Sequence, residues 1–301
     1  MRAIITGGSG LIGRALANSL ASSGHEVIVL SRAPGRVGGL PDGARAVRWD
    51  GRTAEGWAQL CEDAAIINLA GENLSSGRWT GERKRRIRQS RLEAGWAVVA
   101  AVEAAERKPR VVVQASAVGY YGFRGDEEVD EQTSPGEDYL ARVCQDWEAS
   151  TAPVEALGVR RVIIRTAPVL SRTGGMLPRL VLPFRFFVGG RLGSGRQWFP
   201  WIHIADEVGA IRFLMENEQT IGPFNLSSPH PTTNAQFSRL LGRLMSRPAL
   251  IPAPSFALRI LLGQMATALL GGQRVVPRRL LDAGFTFAFP DAFTALRDLL
   301  G

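Results

Sequence analysis

The sequence predicts an α/β protein with a doubly wound parallel sheet and a smaller C-terminal substrate region. A short apolar run at residues 2–6 ends in a cluster of glycines and continues into an amphipathic segment. Strand-like and helical segments then alternate, and the strand-like runs are continuously apolar and β-branched, as in strands covered on both faces. The second half of the chain loses this alternation after about residue 170.

The first element is the glycine cluster between the first predicted strand and helix. Gly7, Gly10 and Gly13 form a Gly-x-x-Gly-x-x-Gly spacing, followed by Leu11 and Ile12 at the helix start. In such a turn the glycines permit a tight bend, a close approach to pyrophosphate and close packing of helix on strand. The N–H groups of the helix start would bind the phosphates. The turn therefore predicts dinucleotide binding by these five residues.

The end of the second predicted strand, residues 26–30, indicates which dinucleotide binds. A carboxylate at this point would bind the ribose hydroxyls of NAD. Here the chain has Ser31 and Arg32, and a guanidinium beside a hydroxyl suits the extra phosphate of NADP. The sequence therefore predicts NADP(H), with a plain surface arginine as the alternative interpretation.

The other elements follow from hydrophobic periodicity. Strands are expected at 44–50, 64–69, 110–115, 161–165 and 224–226, and helices at about 11–22, 54–62, 80–107, 140–157, 234–246, 252–270 and 290–300. Residues 177–200 are rich in Gly, Pro, Phe and Arg and predict a loop-rich lid over a cleft. The apolar stretch 256–272 is interrupted by Arg259 and Gln264, which favours a packed helix over a membrane span.

Small and hydroxyl-bearing residues follow the fourth and fifth predicted strands. Leu69, Ala70 and Gly71 would let a cofactor ribose lie against backbone, and the structural alternative is an ordinary strand-exit turn. Ser116 and Tyr121 follow the fifth strand, at the edge where open sheets bind ligands. A helix cap and a core tyrosine are the structural alternatives for these two.

The amino-acid composition indicates the type of protein and the partners it is expected to have. The chain has 301 residues, 45% of them hydrophobic and 21% charged, which is typical of a globular protein. Two cysteines and a start directly in a strand favour the cytoplasm. The net charge of +8 invites a nucleic-acid partner, but the basic residues are almost all arginines and the one dense run, 83–88, fits a solvated helix face. We therefore expect a small-molecule substrate, no nucleic-acid or membrane partner, no metal and a candidate homodimer.

The motifs resemble a known family. Residues 7–13, 68–71 and 116–122 resemble the extended short-chain dehydrogenase/reductases, the NAD(P)-dependent epimerase/dehydratase family. The segments similar to its poorly characterised branch, sometimes labelled cell-division inhibitors, are 68–73, 78–80, 144–148, 182–184, 199–204, and 272–277 with 283–285 in a C-terminal domain of unknown function. This resemblance implies a Rossmann fold, NADP binding and an unassigned substrate, and it adds Leu69, Ala70, Arg91 and Val169 to the cofactor site. The implied division is an NADP-binding domain at 1–170, joined by 201–228, and a substrate and lid region at 171–200 and 229–301 that ends in a small helical domain.

One departure from that family concerns proton transfer. Its enzymes use a tyrosine followed four residues later by a lysine, whereas alignment on Trp147 and Glu148 places Leu140 and Cys144 in those positions. The predicted catalytic residues are Ser116, Tyr121 and Tyr139, and the further candidates are Tyr120, His203 and Glu72. The leading hypothesis is an NADP(H)-dependent oxidoreductase or epimerase-like enzyme, and the alternative is a non-catalytic NADP(H)-binding redox sensor.

Overall fold

A computed structural model describes all residues from 1 to 301, with fourteen strands and eleven α-helices. The strands are β1 Arg2–Thr6, β2 Glu26–Ser31, β3 Ala44–Arg48, β4 Ala65–Asn68, β5 Val111–Ala117, β6 Glu128–Val129, β7 Arg160–Thr166, β8 Val169–Ser171, β9 Gly174–Gly175, β10 Trp198–Phe199, β11 Ile202–His203, β12 Gly222–Leu226, β13 Thr232–Thr233 and β14 Arg274–Val275. The helices are α1 Leu11–Ser22, α2 Gly81–Ala104, α3 Tyr139–Ala149, α4 Pro153–Ala156, α5 Leu177–Arg185, α6 Ile204–Glu216, α7 Asn234–Leu244, α8 Ser255–Leu262, α9 Met265–Leu270, α10 Arg278–Asp282 and α11 Ala292–Leu300.

Seven strands form the central sheet, in the order β12-β7-β5-β4-β1-β2-β3. All of these pairings are parallel. The chain moves outward from β1 to β3 on one side and restarts at β4 on the other. This reversal places a crevice at the carboxyl ends of β1 and β4, where open α/β sheets bind ligands. The predicted doubly wound fold is confirmed.

The sheet has an apolar core on each face. Ile5 and Ile67 lie in one core with residues of α1 and α6, whereas Ile4 and Ile66 lie in the other with residues of α2. Neighbouring residues of one strand thus face opposite helical layers. This explains why the strands read as continuous apolar runs rather than as alternating ones.

Several predicted elements differ from the observed ones. The expected helix at 54–62 is only a short 3₁₀ turn, because Gly56 has a φ of +78° that a helix cannot accommodate. The helix expected at 140–157 ends at Ala149, and a second short helix begins at Pro153, whose ring removes a backbone donor. Helix α6 was not predicted, although it packs in the core beside α1.

The second half also corrects two expectations. The predicted loop at 177–200 contains helix α5, whose Val181 and Phe184 enter a third apolar core shared with α7 and α11. The helix expected at 252–270 is divided by Gly263 into α8 and α9. Helix α8 has no buried residue, so the expectation of a packed helix is wrong there. Nowhere in the chain is a helix both long and apolar enough to cross a bilayer.

Candidate cofactor and active site

The glycine turn between β1 and α1 has the shape of a phosphate cradle. Gly7 has a φ of +67°, and a Cβ there would lie 2.8 Å from the carbonyl oxygen of Leu69. A Cβ on Gly13 would lie 2.5 Å from the Cα of Gly8, so the helix packs directly on the turn. Gly10 is the N-cap of α1, with no side chain capping it and no acidic residue in the first turn. The N–H groups at this helix start are therefore available to an anion, and the residues fit a pyrophosphate.

The end of β2 carries Ser31 and Arg32, as predicted. The hydroxyl of Ser31 accepts a hydrogen bond from the backbone N–H of Ala33 at 3.2 Å, which shapes the turn. Arg32 is exposed and forms no ion pair. Its guanidinium is therefore free to meet a phosphate.

A buried chain of hydrogen bonds runs across the carboxyl ends of β1, β4 and β5. Thr6 Oγ1 donates to Asn68 Oδ1 at 2.6 Å, and Asn68 Nδ2 donates to Gln114 Oε1 at 2.8 Å. The backbone N–H of Ala70 donates to Thr6 Oγ1 at 3.1 Å. These bonds place Leu69, Ala70 and the following Gly71 beside the glycine turn.

Arg91 holds the loop that follows β4. Its buried guanidinium lies on the ring of Trp147 at 4.7 Å and donates from Nη1 to the carbonyl oxygens of Ile87 at 2.8 Å and Glu72 at 3.2 Å. A Cβ on Gly71 would come within 3.0 Å of its Cζ. Burial lowers the pKa of Arg91. Arg91 therefore reaches the predicted cofactor edge, where it supports the backbone of the loop.

Leu11, at the start of α1, lies against the β8–β9 hairpin that begins at Val169. A Cβ on Gly175 would lie 2.5 Å from the carbonyl oxygen of Val169 and 3.2 Å from Cδ2 of Leu11. The β8–β9 hairpin therefore covers the first turn of α1. The structure thus brings most of the predicted cofactor residues to one edge of the sheet.

Ser116 belongs to a buried network. Its hydroxyl donates to Glu148 Oε1 at 2.6 Å. Arg165 binds both carboxylate oxygens of Glu148, from Nε and Nη2, each at 2.9 Å. Arg165 Nη1 also donates to the hydroxyl of Tyr121 at 3.0 Å. The network ties α3 to the ends of β5 and β7.

The three tyrosines differ in whether the hydroxyl is free. Tyr121 is fully buried and donates to Asn225 Oδ1 at 2.6 Å, and burial raises its pKa. Tyr139 donates to the carbonyl oxygen of Lys84 at 2.9 Å, and burial raises its pKa as well. Tyr120 is partly exposed, its ring lies 3.5 Å from the guanidinium of Arg165, and its hydroxyl makes no hydrogen bond. Tyr120 therefore has the one unengaged phenol.

The remaining candidates serve structural contacts. His203 caps α6 through Nδ1, which accepts from Ala205 at 3.1 Å, and Nε2 lies 3.2 Å from Asp298 Oδ2. Burial lowers the pKa of His203. The carboxylate of Glu72 pairs with Arg83 at 3.6 Å and with Arg86 at 3.4 Å.

Cys144 is the residue that the sequence analysis aligned with the family's lysine. Its side chain is buried beside Gly119, and burial raises the pKa of the thiol to about 12. Its thiol therefore stays protonated near neutral pH and cannot supply the positive charge of that lysine.

Sequence reasoning missed two residues of this buried network, Arg165 and Asn225. A signal was present, because each is a polar residue next to the last position of a strand, directly after buried apolar residues, and so had to be paired within the protein.

A glycine turn at the crevice of a doubly wound sheet defines a dinucleotide-binding protein of the Rossmann class. A family model described as "NAD dependent epimerase/dehydratase family" matches residues 3–227. The chain therefore belongs to this family, and the resemblance read from its motifs is confirmed. A second model, "Domain of unknown function (DUF1731)", matches residues 253–299.

Several relatives match over nearly the whole chain. An epimerase family protein of Mycobacterium leprae is 40% identical over 285 residues, covering 94% of this chain and 90% of the relative. The epimerase family protein SDR39U1 of Bos taurus is 38% identical over 305 residues, covering 100% of both. A crystal structure of human SDR39U1 (isoform 2) with NADPH matches with a TM-score of 0.90 and 35% identity, covering 99% of both chains.

Proposed function

We propose that the protein is an NADP(H)-dependent oxidoreductase or epimerase-like enzyme acting on a small molecule. The observation that carries the proposal is the pairing of the open glycine cradle with the exposed, unpaired Arg32 at the same sheet edge. The NADPH in the crystal structure of human SDR39U1 supports the choice of cofactor. When bound, NADP(H) supplies or accepts a hydride at its nicotinamide.

Different residues contact different parts of the cofactor. Backbone at Gly7, Gly10 and Gly13 and the first turn of α1 receives the pyrophosphate. Ser31 and Arg32 receive the adenosine phosphate, because a guanidinium binds phosphate in a bidentate manner. The exit of β4, residues 69–71, lies against the ribose side of the cofactor, with Arg91 holding this loop from behind.

Leu11, Ile12 and Val169 contribute apolar surface at the helix start. Leu11 contacts the β8–β9 hairpin that contains Val169, so a shift of this hairpin would move the apolar surface of both residues.

Tyr120 is the proton donor that we favour. Ser116, Tyr121 and Tyr139 would each have to give up a hydrogen bond before acting on a substrate. A tyrosine hydroxyl without a neighbouring lysine donates a proton more readily than it accepts one near neutral pH. The proposed chemistry therefore favours reduction of a carbonyl compound over oxidation of an alcohol.

The test combines binding with turnover. NADPH and NADH are titrated by nicotinamide fluorescence, and NADPH consumption is then followed with a panel of aldehydes and ketones. Tighter binding of NADPH and reduction of at least one carbonyl compound are expected. Equal affinity for both cofactors would contradict the role of Arg32.

A second candidate is the non-catalytic NADP(H)-binding redox sensor. The observation that favours it is the replacement of the tyrosine–lysine pair by Leu140 and the buried Cys144. Tight NADPH binding without reduction of any carbonyl compound would favour this candidate.

A further inference from the structure

The protein's positive charge is concentrated in two segments, residues 171–200 and 229–272, which we call the lid segments. Together they contain nine arginines and no aspartate or glutamate, whereas the whole chain has a net charge of only +8. The rest of the molecule is therefore close to neutral. None of the nine arginines forms an ion pair, although the chain has eighteen ion-pair contacts elsewhere.

The same segments expose most of the apolar surface. Of the fifteen large apolar side chains that are exposed, nine lie there and each is more than half exposed. They are Leu182, Phe186, Phe187, Val188, Leu250, Ile251, Phe256, Ile260 and Leu261. Patches of this kind mark interaction sites in soluble proteins.

These side chains come from two stretches of chain that are joined to each other. The backbone N–H of Ile251 donates to Gly189 at 3.3 Å, and that of Ala253 donates to Arg191 at 2.9 Å. The guanidinium of Arg247 lies over the ring of Phe187 at 4.4 Å. Helix α8 follows directly, and it presents Phe256 and Ile260 one turn apart. We call the surface formed by these nine side chains with Arg247 and Arg259 the apolar arginine face.

We propose that the apolar arginine face docks the protein on an anionic lipid membrane. Short helices that combine exposed Phe, Leu and Ile with arginines lie in the interface of a bilayer. Arginines snorkel to the headgroups while neighbouring apolar side chains enter the acyl boundary. An anionic surface supplies the carboxylates or phosphates that these arginines lack within the chain. The proposal departs from the sequence-based expectation of no membrane partner, which considered only a spanning helix.

Two other occupants fit less well. A second copy of the chain, related by a two-fold axis, would bring the same unpaired arginines against each other. An acidic amphipathic segment of another protein would need a groove, whereas three of these side chains, Phe256, Ile260 and Leu261, project from a helix that has no buried residue.

The test is flotation of the full chain with lipid vesicles. The vesicles contain phosphatidylcholine alone or an equimolar mixture of phosphatidylcholine and phosphatidylglycerol, at low and high salt. We expect flotation with the anionic vesicles and much weaker flotation with neutral ones or at high salt. Absence of flotation with every vesicle would overturn the proposal.

A matched pair of isoleucines tests the face itself. Ile260 on α8 is 71% exposed and Ile221 outside the face is 60% exposed. Ile260→Ser should lower vesicle partitioning by about tenfold or more, whereas Ile221→Ser should leave it unchanged. Arg259→Gln should lower partitioning to anionic vesicles by about fivefold, whereas Arg110→Gln, which directly precedes β5, should have no effect.

The variants also need a control for folding. All four positions are exposed, so their thermal unfolding midpoint and NADPH affinity should match those of the unmodified protein. Equal loss of partitioning in both isoleucine variants would overturn the proposal. Vesicle-free self-association that Ile260→Ser abolishes, or tighter binding of an acidic amphipathic peptide than of vesicles, would overturn it as well.

Discussion

Reversing the charge of Arg32 tests the cofactor site most directly. In Arg32→Asp the guanidinium that meets the adenosine phosphate becomes a carboxylate that repels it. An exposed ion pair contributes up to about 1 kcal/mol, and the phosphate carries close to two charges. Adding the repulsion gives about 2–3 kcal/mol, or a roughly 30- to 150-fold loss of NADPH affinity. NADH affinity should stay level or rise, because a carboxylate at this position binds ribose hydroxyls.

Fluorescence titration of both cofactors at low and high salt measures this effect. The matched control is Arg110→Asp, an exposed arginine that directly precedes β5, at the amino ends of the strands, and forms no ion pair. Both variants change the net charge equally, so a general electrostatic effect would appear in both. The preference for NADPH should also weaken with salt, since exposed charges are screened. An equal loss in the two variants would refute the assignment of Arg32.

Three further predictions concern the site and a fourth concerns Glu207, a buried residue of α6 that accepts a hydrogen bond from Thr166 Oγ1 at 2.9 Å. Gly10→Val adds bulk 3.2 Å from the carbonyl oxygen of Gly7, and it should lower NADPH affinity by tenfold or more, by titration, while thermal unfolding shows a folded protein. Tyr120→Phe should lower carbonyl reduction by roughly 10²–10⁴-fold with unchanged NADPH affinity, and full activity would exclude it as the donor. Glu148→Ala leaves a buried guanidinium unpaired and should cost about 3–5 kcal/mol in urea unfolding, whereas a cost under 1 kcal/mol would mean that water replaces the carboxylate. Burial raises the pKa of Glu207 from 4.5 to about 8 in the folded protein. Between these pH values the folded state keeps the proton that the unfolded state has lost, so the stability of the fold should decrease as pH rises. In Glu207→Gln the unfolding midpoint should depend less on pH over this range.

The sequence predicted the fold and the cofactor edge because both depend on local patterns. Apolar β-branched runs identify buried parallel strands, and the turn at Gly7 to Gly13 needs its glycines for backbone reasons visible in the chain alone. Strand-end positions such as Ser31 and Arg32 follow from the strand assignment. These features can be recognised before any contact between distant segments is known.

The rest depends on contacts that no local pattern encodes. Tyr120 and Tyr121 are adjacent and chemically identical, yet only the tertiary structure decides that Tyr121 is buried against Asn225. The pairing of Glu148 with Arg165 likewise joins a helix to a strand seventeen residues further along. For helix α8 a local pattern gave the wrong prediction, because its apolar composition indicated burial and the structure leaves it exposed.

The buried hydrogen-bond network of the site forms a rigid wall. It consists of Ser116, Glu148, Arg165, Tyr121 and Asn225. Its members come from three adjacent strands, from α3 and from the 3₁₀ turn after β5. Displacing one of them therefore separates buried charges and hydrogen-bonding groups that no solvent is present to stabilise. The wall is therefore rigid and reorganises little when a ligand binds. Adjustment to substrates of different shape would then fall to residues outside this wall.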